Sequence, residues 1–130
     1  MAGYRHVVVG TDGSASAALA VAHAARLAAA MAAKLTVVMA YAGDGSAEAV
    51  AAVEAARALA LAEGATGVNV FVEPGDPADV VIGAAESRGG DVIVVGSKGM
   101  TSAKRFLLGN VPNKISHHAP CDVIIVRTAP

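Results

Sequence analysis

Tryptophan is absent from this 130-residue chain, aromatic residues make up only 3% of it, and there is a single cysteine. So few rings leave little from which to build a stacking platform for nucleic-acid bases. One cysteine excludes an intramolecular disulfide and any multi-cysteine metal site, and Cys121, beside an apolar run, reads as a core thiol whose surroundings raise its pKa. An excess of charge of one sign is missing too. Lys and Arg number 10 against 11 Asp and Glu, for a formal net charge of −1, and only Lys98, Lys104 and Arg105 cluster. The broad basic face that long nucleic acids require is therefore not expected. Although 55% of the residues are hydrophobic, alanine carries much of that figure, and no run reaches the ~18 apolar residues of a membrane span. Residues Met1 to His6 enter a valine run without the apolar region or cleavage site of a signal peptide. The expectation is one domain over residues 1–130 with a cytoplasmic address.

Short strands rich in valine and isoleucine are present, at Arg5–Thr11, Lys34–Tyr41, Gly67–Glu73, Asp91–Gly96 and Cys121–Arg127. Helical segments alternate with them. Ser14 caps the first, which runs to Ala33 with Leu19, His23, Leu27 and Met31 at i+4 spacing as its face. The second covers Ser46 to Glu63, with Val50, Val53, Arg57, Leu59 and Leu61 along it and Gly64 as its stop. Asp76-Pro77 opens the third, which ends at Gly89-Gly90, while Asn110 caps the fourth and Pro120 ends it. Alternation of this kind indicates the α/β class: an open five-stranded parallel sheet, Rossmann-like, with helices on both faces.

Ligands of such sheets bind beyond the carboxyl ends of the strands, where the strand order reverses. Gly10-Thr11-Asp12-Gly13-Ser14 ends the first strand and Gly96-Ser97-Lys98-Gly99 the fourth, so setting these two side by side yields the order 3-2-1-4-5. The rival order 2-1-3-4-5 instead puts Glu73-Pro74-Gly75-Asp76 beside Asp12, an acidic crevice suited to a metal. After Gly96 the chain has neither a P-loop nor a dinucleotide fingerprint. Its glycines do stand between a strand end and a helix start, where backbone N–H groups can meet an anion. A plain crossover loop is the competing reading.

The spacing Gly96-x2-Gly99-x9-Gly109, the opening Val7 to Ser14 and the closing His117 to Arg127 together resemble the universal stress protein family, over essentially the whole chain. That resemblance implies the order 3-2-1-4-5, a homodimer through the fifth strand, and an adenine nucleotide as partner: ATP first, with AMP or cyclic AMP as alternatives, and Mg or Mn accompanying ATP. It implies that Gly96 and Gly99 approach ribose and phosphates, and that Gly109 and the N–H groups of Asn110 and Val111 hold phosphate at a helix N-terminus. Asp12 would meet the nucleoside or a phosphate-bound ion, Ala40 and Tyr41 would offer backbone groups to the adenine edge, and Thr11 would join the pocket. Apart from the resemblance, the charge of Lys98, Lys104 and Arg105 could neutralise a polyphosphate, with Lys98 the one taken as a binding residue and solvated loop charge the competing reading. Two departures bear on the ligand: Asn110 stands where the family usually has Ser or Thr, and the connection Ala42 to Gly45 is short.

The role implied is a stress-response sensor or nucleotide buffer. No nucleophile–base pair is evident, so binding is expected rather than catalysis. A slow metal-dependent ATPase or autophosphorylating protein, using Asp12 with Thr101 or Ser102, is one alternative. A nucleotide-free dimeric interaction protein is the other. His117 and His118, at the end of the fourth helix, suit its dipole rather than a metal.

Overall fold

The computed structural model describes residues 3–97 and 110–128. In chain order these form β1 (His6–Gly10), α1 (Ala15–Met31), β2 (Lys34–Tyr41), α2 (Ser46–Ala62), β3 (Gly67–Pro74), α3 (Pro77–Arg88), β4 (Val92–Gly96), α4 (Asn110–His118) and β5 (Asp122–Val126). All neighbouring strands pair in parallel, in the order β3-β2-β1-β4-β5. The order 2-1-3-4-5 is thereby excluded. With β2 between β1 and β3, the acidic turn after β3 is kept away from Asp12.

Alternation along the strands builds two cores. Val7, Val9, Leu35, Val37, Val92 and Val94 pack under α1 and α2, while Val8, Val38, Ile93 and Val95 pack under α3 and α4. The chain leaves β1 for one face and β4 for the other, so the strand order reverses between these two strands. That reversal opens a crevice at their carboxyl ends.

Helices α1 and α2 meet the sheet largely through alanine. In α1 the buried residues are Ala20, Val21, Ala24, Ala25 and Ala28, whereas Leu19 is 53% and Met31 42% exposed. The expected face Leu19-His23-Leu27-Met31 is therefore corrected, because each i+4 step drifts about 40° around the helix. In α2, Ala49, Val53, Ala56 and Ala60 are buried, while Val50 and Leu61 are exposed. Small side chains let both helices lie close to the strands. α1 also stops short of Ala33: Ala32 turns left-handed at φ 53°, and the Ala33 amide donates to the Ala28 carbonyl at 2.8 Å.

At the opposite, amino-terminal end of the sheet, Asp91 does not begin β4 as expected. Its carboxylate accepts the amides of Arg5 (2.9 Å) and His6 (3.0 Å) instead. Thr36 is fully buried, and its hydroxyl lies 2.6 Å from His6 Nε2, while His6 Nδ1 donates to the Arg88 carbonyl at 3.0 Å. His6 thus gives a buried hydroxyl the hydrogen-bond partner that polar groups in protein interiors need. The Arg88 guanidinium stacks over Phe71 at 4.0 Å, shielding part of the edge strand β3. Among the described residues no helix is long and apolar enough to cross a membrane.

Candidate functional site

The turn after β1 is held by its own side chains. The Thr11 amide donates to the Val38 carbonyl (3.0 Å), extending the ladder one residue past β1, and its hydroxyl accepts the Gly13 amide (3.1 Å). Asp12 Oδ1 accepts the Ser14 amide at 2.9 Å, and Ser14 Oγ caps α1 by accepting the Ala17 amide at 3.1 Å. Gly13 sits at φ +81°. Thr11 is 3% exposed and Asp12 half-buried, so local turn formation employs both residues. Among the described residues no hydrogen bond engages Asp12 Oδ2. Oδ2 is therefore the oxygen of Asp12 that could accept from a nucleoside hydroxyl or hold an ion.

Across the crevice, Gly96 ends β4 opposite Val126 of β5. A Cβ at Gly96 would lie 3.0 Å from Thr128 Cγ2 and 3.3 Å from Thr128 Oγ1, so packing against the C-terminal segment already calls for glycine here. Ser97 fastens the start of the long connection. Its amide donates to the Val126 carbonyl (2.7 Å) and its Oγ accepts the Thr128 amide (3.2 Å). Lys98, Gly99 and Gly109, together with Thr101, Ser102, Lys104 and Arg105, lie outside the described residues.

The expected cap at Asn110 is corrected: Asn110 lies within α4 and is its first described residue. Val111 is buried against the sheet, so only its amide is available at this helix end, and Pro112 has none to offer. The first-turn donors among the described residues are thus the amides of Asn110 and Val111, at the positive end of the helix dipole.

At the end of β2, Ala40 and Tyr41 are half-buried, and the Tyr41 carbonyl accepts the Gly75 amide at 3.1 Å. Beyond them Gly45 donates to the Ala42 carbonyl (3.1 Å), closing the short turn noted in the sequence. The turn after β3 is acidic, and one ammonium offsets part of its charge. Lys114 of α4 lies 2.9 Å from Asp79 Oδ1 and 3.3 Å from Asp76 Oδ2, and Asp76 caps α3 through the Asp79 amide. That amide, and then the Lys114 ammonium, hold the Asp76 carboxyl below the usual carboxylate range, while Asp79 and then Asp76 raise the Lys114 ammonium.

A cavity of about 110 Å³ lies between α1 and α2 on the other side of the turn residues Thr11, Gly13 and Ser14, and is lined by these with Ala18, Val21, Ala52, Ala55, Ala56 and Leu59. It is smaller than the roughly 300–1,000 Å³ of typical small-molecule sites. Cys121 is half-buried, and burial pushes its thiol up, in keeping with a core role. His117 and His118 are exposed at the end of α4. Among the described residues no group of three His, Cys, Asp or Glu is arranged to hold a metal.

Lys114 and Thr128 escape sequence reasoning, because their partners are far away along the chain. Lys114 meets Asp76 across 38 residues, and Thr128 meets Ser97 across 31.

A family model described as "Universal stress protein family" matches residues 3–127. A crystal structure of a universal stress protein in complex with cAMP is 37% identical, covers 98% of this chain and 100% of its own, and superposes with a TM-score of 0.87. Protein Rv1636 of Mycobacterium tuberculosis H37Rv is 38% identical over 99% of both chains, with a TM-score of 0.71. The putative universal stress protein SERP1273 of Staphylococcus epidermidis is 48% identical over 40 residues, which make up 31% of this chain and 24% of that relative. The matched stretch thus spans about a quarter of the curated relative's length.

Proposed function

The chain belongs to the universal stress protein family, and from that premise we propose that it binds an adenine nucleotide in the crevice between the ends of β1 and β4. The observation that carries this reading is the adjacency of β1 and β4 at the reversal of strand order, with the N-terminus of α4 following β4. The base and ribose lie toward Thr11, Asp12, Ala40 and Tyr41. A phosphate lies toward Gly96, Lys98, Gly99, Gly109 and the amides of Asn110 and Val111, because a carboxylate at Asp12 repels it and a helix N-terminus attracts it.

A nucleoside monophosphate, AMP or cyclic AMP, comes ahead of ATP in this proposal. The relative solved with cAMP, 37% identical over nearly the whole chain, supports that ranking, as does the short turn Ala42 to Gly45. If ATP is the ligand, Asp12 Oδ2 is the carboxylate oxygen available to an accompanying Mg or Mn. The protein acts in a cytoplasmic stress response as a nucleotide sensor or buffer, and as a homodimer through β5.

The test is to heat-denature the purified protein, identify any nucleotide released, and titrate the emptied protein with ATP, AMP and cyclic AMP. Saturable binding of a monophosphate more tightly than ATP is expected. Failure to bind any of the three at millimolar concentration overturns the reading.

A further inference from the structure

One buried side-chain oxygen has no hydrogen-bond partner among the described residues, and it is Thr128 Oγ1. A hydroxyl left in this condition costs stability, so each such group calls for a reason. Its location supplies one. Thr128 lies just past β5, at the carboxyl end of the sheet, with Cγ2 and Oγ1 at 3.0 and 3.3 Å from where a Cβ of Gly96 would stand. The residue is also held in place: its amide donates to Ser97 Oγ, whose own amide donates to the Val126 carbonyl. The hydroxyl is therefore pre-positioned beside the glycine that opens the candidate ligand loop.

We propose that Thr128 is a ligand-contact residue whose hydroxyl donates to a phosphate oxygen of the bound nucleotide. The inference rests on the nucleotide reading above and adds a contact from the C-terminal segment, a part of the chain outside the glycine motif. Phosphate is the group assigned because the crevice is polarised. Asp12, at the end of β1, disfavours an anion on its side, whereas Gly96 and Thr128, at the ends of β4 and β5, present no carboxylate. A hydroxyl bonded to an ionised oxygen forms a short, strong hydrogen bond, and a donor with no partner among the described residues gains most from it.

Thr128→Val removes the hydroxyl and keeps the branched shape that packs on Gly96, and Thr128→Ser keeps the hydroxyl and drops the methyl. Calorimetric titration with AMP and with adenosine is expected to show T128V binding AMP about ten-fold more weakly, ~1.4 kcal/mol, with adenosine affinity unchanged. T128S is expected to stay within about two-fold of the parent for both. The melting temperature of unliganded T128V should hold or rise by roughly 2–4 °C, since an unsatisfied buried group is gone. AMP binding by T128V equal to that of the parent overturns the inference while leaving the nucleotide reading intact. An equal loss for adenosine overturns the assignment to phosphate. A parent protein that binds neither ligand overturns both.

Discussion

At the scale of single residues, the ends of the strands leave almost no room. A Cβ at Gly10 would lie 2.9 Å from Cγ2 of Val81, a residue of α3 that is 2% exposed. Gly10→Ala should therefore cost about 1–3 kcal/mol through overpacking, read as a lower urea midpoint with an unchanged slope. A variant as stable as the parent would mean that α3 can move away from β1. Gly96 differs in kind. Its neighbour is a threonine on the C-terminal segment, so the same glycine serves packing and, in the proposed site, ligand approach.

At the scale of elements, α1 shows that helix burial here depends on alanine rather than leucine. Ala24 is fully buried and Leu19 is 53% exposed. Ala24→Leu should destabilise by about 1–3 kcal/mol, whereas Leu19→Gln should stay within about 0.5 kcal/mol. Thermal melts of the two variants check both figures, and the reverse ranking would contradict the described packing.

The second coupling at this scale joins α3 to α4 through Asp76, Asp79 and Lys114. The Asp76 pKa is lowered in the folded state, so its stabilisation is present above the ordinary carboxylate value near ~4 and is lost as pH falls through the lower folded value. The Lys114 pKa is raised, so its share is present below ~10.4 and is lost as pH rises through the higher folded value. The difference in urea midpoint between the parent and Asp76→Asn should stay flat from about pH 5 to 9 and shrink below about pH 4. A difference that is constant down to about pH 2 would remove the ionic basis of this coupling.

At the scale of the whole molecule, the two sheet edges are unlike. On β3 the Val68 carbonyl is taken by the Arg57 guanidinium at 3.1 Å, and Pro74, which lacks an amide proton, ends the strand. Both features discourage further strand pairing. On β5, Val123, Ile124, Ile125 and Val126 are only half-buried. Sedimentation at micromolar concentration should show a dimer, and a monomer would refute pairing through β5. Arg57→Ala, which frees the β3 edge, should add species larger than the dimer without dissolving it.

Much of this was readable in the sequence. Short valine-rich strands alternating with cappable helices determine a parallel α/β sheet, and the chemistry at Thr11-Asp12 and Gly96 points to the strand order that sets them side by side, while the rival order 2-1-3-4-5 is excluded only by the strand pairing itself. Ser14 and Asp76 cap their helices as their residue types predict, because a cap is a contact three residues long. What local pattern could not determine is which face of α1 and α2 turns inward when more than half of the positions are alanine, since alanine carries too little contrast to mark a side. Tertiary structure alone decided that Leu19 faces outward, that Lys114 pairs with Asp76 and Asp79 at the turn after β3, and that Thr128 packs over Gly96 with its hydroxyl unpaired among the described residues. Each is a contact between segments distant along the chain, and only the folded sheet brings them together.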